Sequence, residues 1–118
     1  MDYKELDAWK KCRILVSTIY TLSKNFPKEE MFGLTNQIRR AAVSVLSNIA
    51  EGNGRNSDKE LLQFYHYSRG SLFEIESQLY VALDQLYISE LQFGNAIQQV
   101  SDCIKLIQGM INYLNSKK

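Results

Sequence analysis

The sequence predicts an all-α fold, an antiparallel up-down-up-down four-helix bundle, and three observations carry that prediction. Apolar residues recur at spacings of three and four in four separate segments, which places them on one helical face each. No stretch of useful length alternates with the period of two that a half-buried strand requires. The segments are joined by short turns with cap signals, and short connections between amphipathic helices favour antiparallel neighbours.

The first helix is expected from about Asp7 to Asn25, with Ala8, Cys12, Leu15, Ile19, Leu22 and Phe26 on its inner face and Trp9, Val16 and Tyr20 beside it. Pro27 cannot continue a helix but suits the first turn of a new one. The second helix is expected over Leu34 to Gly52, with Ile38, Ala42, Val45 and Ile49 inside and Arg40, Ser44, Ser47 and Glu51 on the opposite face. Gly52-Asn53-Gly54 reads as its stop, since these residues accept the left-handed conformation that ends helices.

Ser57-Asp58-Lys59-Glu60 is a capping box that opens a third helix, expected to reach Leu86. Its core stripe is Leu61, Phe64, Tyr65, Ser68, Leu72, Ile75, Leu79, Ala82, Leu83 and Leu86. A second box, Ser89-Glu90-Leu91-Gln92, opens the fourth helix, which presents Phe93, Ile97, Val100, Ile104, Ile107, Ile111 and Leu114 on one face.

Bulk composition fits one domain over residues 1–118. Hydrophobic residues make up 45% and charged residues 23%, which is globular rather than disordered. With 14 basic and 13 acidic residues the formal charge is +1, so any polyanion binding has to come from local clustering. Cys12 and Cys103 sit among apolar residues and read as buried thiols of a reducing compartment. The N-terminal Met1-Asp2-Tyr3-Lys4-Glu5 is too charged for a signal peptide, and the expected location is the cytoplasm.

No catalytic, cofactor-binding or metal-binding constellation emerges. His66 is the single histidine, which removes histidine triads and multi-histidine metal sites. The two cysteines lack Cys-x-x-Cys spacing. Gly52-Asn53-Gly54-Arg55 follows a helix rather than a strand and lacks the lysine ending of a phosphate loop. Glu51, Glu74, Glu76 and Asp84 lack the Glu-x-x-His pairs of a di-metal bundle. The expectation is a protein that is not an enzyme.

Two surfaces remain. His66, Phe73, Tyr80 and Tyr87 recur every seven residues on the third helix, about a third of a turn from its core stripe, with Leu62 near the same line. Either the rings lie over neighbouring helices, or they form a seam against another copy, with Arg69 and Glu76 available for charge pairs between subunits. The seam is the reading adopted, and with it a homo-oligomer. The second surface is basic: Lys10, Lys11 and Arg13 on the first helix, Arg39 and Arg40 on the second, Arg55 and Lys59 at the following turn, and Lys117 and Lys118 at the end. These residues either pair with nearby acids or contact RNA or DNA, and repetition around an oligomer makes a weak patch multivalent.

Several motifs in order carry a family resemblance. They are Trp9-Lys10-Lys11, Phe26-Pro27-Lys28-Glu29-Glu30, the run from Gly33 through Gln37-Ile38-Arg39-Arg40 to Ser44, Ser47-Asn48-Ile49-Ala50-Glu51-Gly52 with Gly54-Arg55 and Ser57-x-Lys59-Glu60 after it, and Arg69-Gly70-Ser71-Leu72-x-Glu74. Together they resemble the bacterial four-helix-bundle proteins encoded in intervening sequences of 23S ribosomal RNA genes. The resemblance implies a ring-shaped homopentamer with no enzymatic activity. It extends to accessory proteins of diversity-generating retroelements, which share the bundle and partner a reverse transcriptase and nucleic acid. Where the family usually has Ser-Ile-Pro-Ser, this chain has Ser44-Val45-Leu46-Ser47, which removes a helix kink. Gly70 lies mid-helix at a cost of roughly 1 kcal/mol relative to alanine, and suggests close approach by another backbone.

Overall fold

Four helices account for most of the computed structural model, which describes residues 2–117. Met1 of the N-terminal segment and Lys118 of the basic C-terminus lie outside the described residues. The helices are α1 (Asp7–Ser23), α2 (Leu34–Asn53), α3 (Asp58–Asp84) and α4 (Glu90–Ser116), with single 3-10 turns over Tyr3–Glu5 and Lys28–Glu30. Each helix packs on two neighbours, in the cycle α1–α2–α3–α4 and back to α1, whereas the backbones of the diagonal pairs α1/α3 and α2/α4 stay farther apart. The molecule is elongated, 47 × 24 × 20 Å.

Alternating direction follows from contacts at the two ends. At one end the Tyr87 hydroxyl, in the α3–α4 turn, donates to Glu30 in the α1–α2 connection at 2.8 Å. At the other, Lys117 at the end of α4 meets Asp58 at the start of α3, also at 2.8 Å. The core runs between these ends as one cluster, and Leu15, Ile19, Ile38, Ile49, Leu72, Ile75, Leu79, Ile107 and Ile111 are its largest fully buried members. On α4 the buried line is Ala96, Val100, Cys103, Ile107 and Ile111; Phe93, Ile97, Ile104 and Leu114 flank it half-buried. Leu61, Phe64 and Leu83 are likewise half-buried edges of α3. Among the described residues no helix is long and apolar enough to cross a membrane.

The α2–α3 pair is packed through small residues. Ala41, Ala42 and Gly52 are buried on α2, and the buried Ser68 hydroxyl of α3 donates to the Val45 carbonyl at 2.8 Å. That bond satisfies a polar group that would be costly if left unpaired in the core. α2 is continuous through Val45-Leu46-Ser47, where no proline interrupts it.

The caps match the sequence unevenly. Ser89 and Gln92 form the full reciprocal box, at 3.1 and 2.9 Å. At the start of α3 the Ser57 hydroxyl accepts from the Glu60 N–H at 3.2 Å, and that is the half of the box the structure shows. α1 stops at Ser23, two residues before its expected end.

Two helix ends overturn their sequence readings. Gly52-Asn53-Gly54 uses no left-handed residue: Gly54 caps α2 at φ −88°, and Gly52 is an ordinary helical residue. The left-handed position is Leu86 instead, at φ 63°. α3 ends at Asp84, and the Tyr87 N–H reaches the Ala82 carbonyl while the Leu86 N–H reaches Leu83. This is the Schellman arrangement, with leucine where glycine is usual. Leu86 therefore does not extend the α3 core stripe; it is 87% exposed. A left-handed leucine costs roughly 1–2 kcal/mol in backbone strain.

Gly70 also departs from expectation. A Cβ built on it meets nothing within 4 Å, so no backbone of the same chain approaches it. The close approach to another helix is at Gly52, where a Cβ would lie 2.8 Å from Cβ of Phe64 and 3.1 Å from a Leu61 methyl. Gly52 lets the ends of α2 and α3 meet.

Candidate interaction surfaces

The heptad line on α3 divides in the structure. Phe73 is 43% and Tyr80 52% exposed, although the Tyr80 ring also rests edge-on against Phe93 of α4 at 4.8 Å. His66 is exposed, and with Leu62 it lines a shallow cavity of about 530 Å³ shared with Lys59, Leu114 and Lys117. The Arg69 guanidinium lies 5.8 Å from the Phe73 ring centre, within the range of a cation–π contact. Arg69 and Glu76 are half-buried, and neither forms an ion pair among the described residues. The stripe thus runs along the α3–α4 edge, with two rings only partly covered by their own chain.

Tyr87 is a correction. It lies beyond α3, in the turn, and packs on Phe26 with ring centres 5.5 Å apart while its hydroxyl donates to Glu30. Heptad counting fails there because the helix has already ended. Tyr87 fastens two loops together.

Glu30 is the other half of that fastening. Its carboxylate accepts the Leu34 N–H at the start of α2 (3.0 Å) as well as the Tyr87 hydroxyl. Both bonds favour the charged form, the backbone one most, and hold the carboxyl below its ordinary value of 4.5. A depressed folded-state pKa gives stability that is complete well above 4.5 and is lost as pH falls through the folded-state value. Glu30→Gln is therefore expected to lower the melting temperature at neutral pH and to converge with the unsubstituted protein in acid. Melting curves across that range check it.

The basic residues do not form one patch. Lys10, Lys11 and Arg13 are exposed on the first half of α1, with Arg13 stacked 5.5 Å from the Trp9 ring centre. Arg55 and Lys59 lie at the α2–α3 turn, at the same end of the bundle as the start of α1. Arg55 is engaged, paired with Glu51 at 3.0 Å and stacked over Phe64 at 4.9 Å.

Arg39 and Arg40 stand apart, about 20 Å along α2 from its C-terminal end at 1.5 Å per residue. Arg39 is half-buried, donating to the Ser23 hydroxyl at 2.8 Å and lying over Tyr20 at 4.9 Å. It staples α1 to α2. Arg40 stays exposed and, with Ser44, Ser47, Asn48 and Glu51, lines a shallow groove of about 590 Å³ beside Tyr20 and Val43. The common outer face expected for Arg40, Ser44, Ser47 and Glu51 is present, as the floor of this groove.

Cys12 and Cys103 face one another across α1 and α4, both buried and unbridged. The neighbouring Cys103 thiol and burial push the Cys12 thiol far above its ordinary value, so it stays protonated at neutral pH. Among the described residues no cluster of three histidine, cysteine, aspartate or glutamate side chains is placed to hold a metal.

A third surface escaped the sequence reading. At the end of the bundle formed by the α1–α2 connection and the α3–α4 turn, Phe32 is 94% exposed and Leu91 76%, alongside Leu86 and the half-exposed Met31. Phe32 lies between periodic segments, and Leu91 falls off the inner stripe of α4 while belonging to its capping box. Apolar residues in turns are the only sequence signal for this surface.

Comparison with solved structures shows the same architecture elsewhere. The crystal structure of a protein of unknown function from the S23 ribosomal protein family of Bacteroides thetaiotaomicron VPI-5482 superposes with a TM-score of 0.82. The alignment covers 88% of this chain and 97% of the other, at 21% identity, a level that speaks for the fold alone. No curated protein matches the sequence. The family pattern described as 23S rRNA-intervening sequence protein, however, matches residues 4–109, nearly the whole bundle, and the chain belongs to that family.

Proposed function

We propose that this chain is a non-enzymatic scaffold that assembles as a homopentamer and binds RNA or another nucleic acid through basic residues repeated around the ring. The observation that carries the reading is the division of the surface between opposite helices. Phe73 and Tyr80 are large rings left half-exposed along α3, the kind of surface that self-association covers. α1 lies diagonally across the bundle from α3, and its Lys10, Lys11 and Arg13 are exposed and form no ion pair among the described residues, which leaves them available to a ligand.

A single exposed trio contacts few phosphates and binds weakly. Repetition turns weak contacts into useful avidity, because the later contacts become intramolecular. Lys59, at the same end as the start of α1, adds to the basic charge there; Arg55 is committed to Glu51 and Phe64, and Arg39 to Ser23 and Tyr20, and both contribute less. No cofactor enters this account, and the cytoplasm, where nucleic acid and reduced thiols coexist, is the compartment that suits it.

Fluorescence anisotropy of labelled RNA at several salt concentrations tests the reading. Binding is expected to weaken steeply with salt as counterions are released, and to be lost when Lys10, Lys11 and Arg13 are all changed to glutamate. Unchanged RNA binding by that triple variant, or none by the unsubstituted protein at low salt, contradicts it. A second reading, a protein adaptor that docks on a partner enzyme such as a reverse transcriptase without touching nucleic acid, is favoured by one specific observation, the apolar end formed by Phe32, Leu86 and Leu91.

A further inference from the structure

That apolar end has properties a mere loop surface would lack. Its two connections are fixed to each other by the Tyr87–Glu30 hydrogen bond and the Phe26–Tyr87 ring contact, so the exposed side chains stand on a rigid base. Leu86 occupies the left-handed position of a helix stop, where glycine would relieve the backbone and remove an exposed apolar side chain together. Strain kept alongside exposure points to a use for the side chain itself.

Charge selects the occupant. Glu29, Glu30, Asp84 and Glu90 surround this end, against Lys24 and Lys28. Glu29, Asp84 and Glu90 are exposed and form no ion pair among the described residues, and the same holds for Lys24 and Lys28, so carboxylates remain in excess at this end. An acidic rim repels nucleic acid and anionic lipid, and it attracts a cationic surface.

We propose that the end of the bundle carrying Met31, Phe32, Leu86 and Leu91 is a docking site for a segment of a second protein that presents apolar side chains flanked by lysine or arginine. Phe32 and Leu86 are the anchors, and the carboxylates set the orientation and speed of encounter. This surface lies at the opposite end from the start of α1, so protein docking and nucleic-acid binding by Lys10, Lys11 and Arg13 do not compete. Its failure would leave the nucleic-acid reading untouched.

The test uses the full chain and a synthetic amphipathic peptide of leucine and lysine in heptad register, with a leucine–glutamate peptide of the same pattern as comparison. Titration calorimetry is expected to show binding of the lysine peptide only, weakened by salt. Phe32→Ser and Leu86→Gly should each lower its affinity about tenfold or more. Leu86→Gly should at the same time raise the melting temperature, which separates lost docking from lost folding. Absence of binding, equal binding of the glutamate peptide, or unchanged affinity in both variants overturns the proposal. So does a fall in solution mass caused by either variant, since the occupant would then be a second copy of this chain.

Discussion

Phe73→Glu and Tyr80→Glu are each expected to convert the assembled protein to monomer while leaving its helical content nearly unchanged. The side chains are 43% and 52% exposed within one chain, so a carboxylate at either position remains hydrated and costs the isolated bundle little. In a seam the same carboxylate would be stripped of water against an apolar neighbour, a penalty of several kcal/mol repeated at every contact of a ring. Tyr80 also covers Phe93, so its replacement should lower the melting temperature somewhat more than that of Phe73. Sedimentation together with circular dichroism reads both effects. Loss of helix along with loss of mass would mean that these rings serve the fold rather than the assembly.

Gly52→Val should produce a large loss of stability, because its side chain would meet a neighbouring helix. Its Cβ alone would sit 2.8 Å from Cβ of Phe64, an atom fixed to the backbone of α3 that cannot rotate away. The helices must separate at the end where Ser57 and Arg55 organise the turn. Overpacking of this kind costs typically 1–3 kcal/mol. Gly70→Ala is the contrast: nothing lies within 4 Å of its added Cβ, and alanine gains roughly 1 kcal/mol of helix propensity. Opposite shifts in urea midpoint are expected from the two substitutions, and equal shifts would contradict the packing described at Gly52.

The contrast also shows what was legible in the sequence. Four helices, their order and most of their inner faces follow from apolar spacing, because burial on one face is a property of each helix alone. Cys12, Ile38, Leu72 and Ile107 are as buried as their periodicity requires. Periodicity does not announce where a helix stops. Leu86 continues the inner stripe of α3 by spacing, and Tyr87 continues its outer line, yet α3 ends at Asp84 and both belong to a turn. Nor does spacing tell which of two glycines meets a neighbour, since that depends on the angle and separation of two helices.

The candidate surfaces were legible in proportion to how local they are. Exposure of Lys10, Lys11 and Arg13 is set by the face of a single helix and could be read directly. The commitments of Arg39 to Ser23 and Tyr20, and of Arg55 to Glu51 and Phe64, arise from side chains meeting in the folded chain. The acidic, apolar end of the bundle is less local still. It exists because the bundle brings two loops far apart in sequence to one end, where the Tyr87–Glu30 bond fastens them.

Assembly is the premise on which the proposed function rests, and the mass of the unsubstituted protein in solution tests it most directly. Analytical ultracentrifugation at micromolar concentration is expected to give a single species near five times the 13.6 kDa of one chain. A species of 13.6 kDa across that range would contradict the seam, and with it the scaffold.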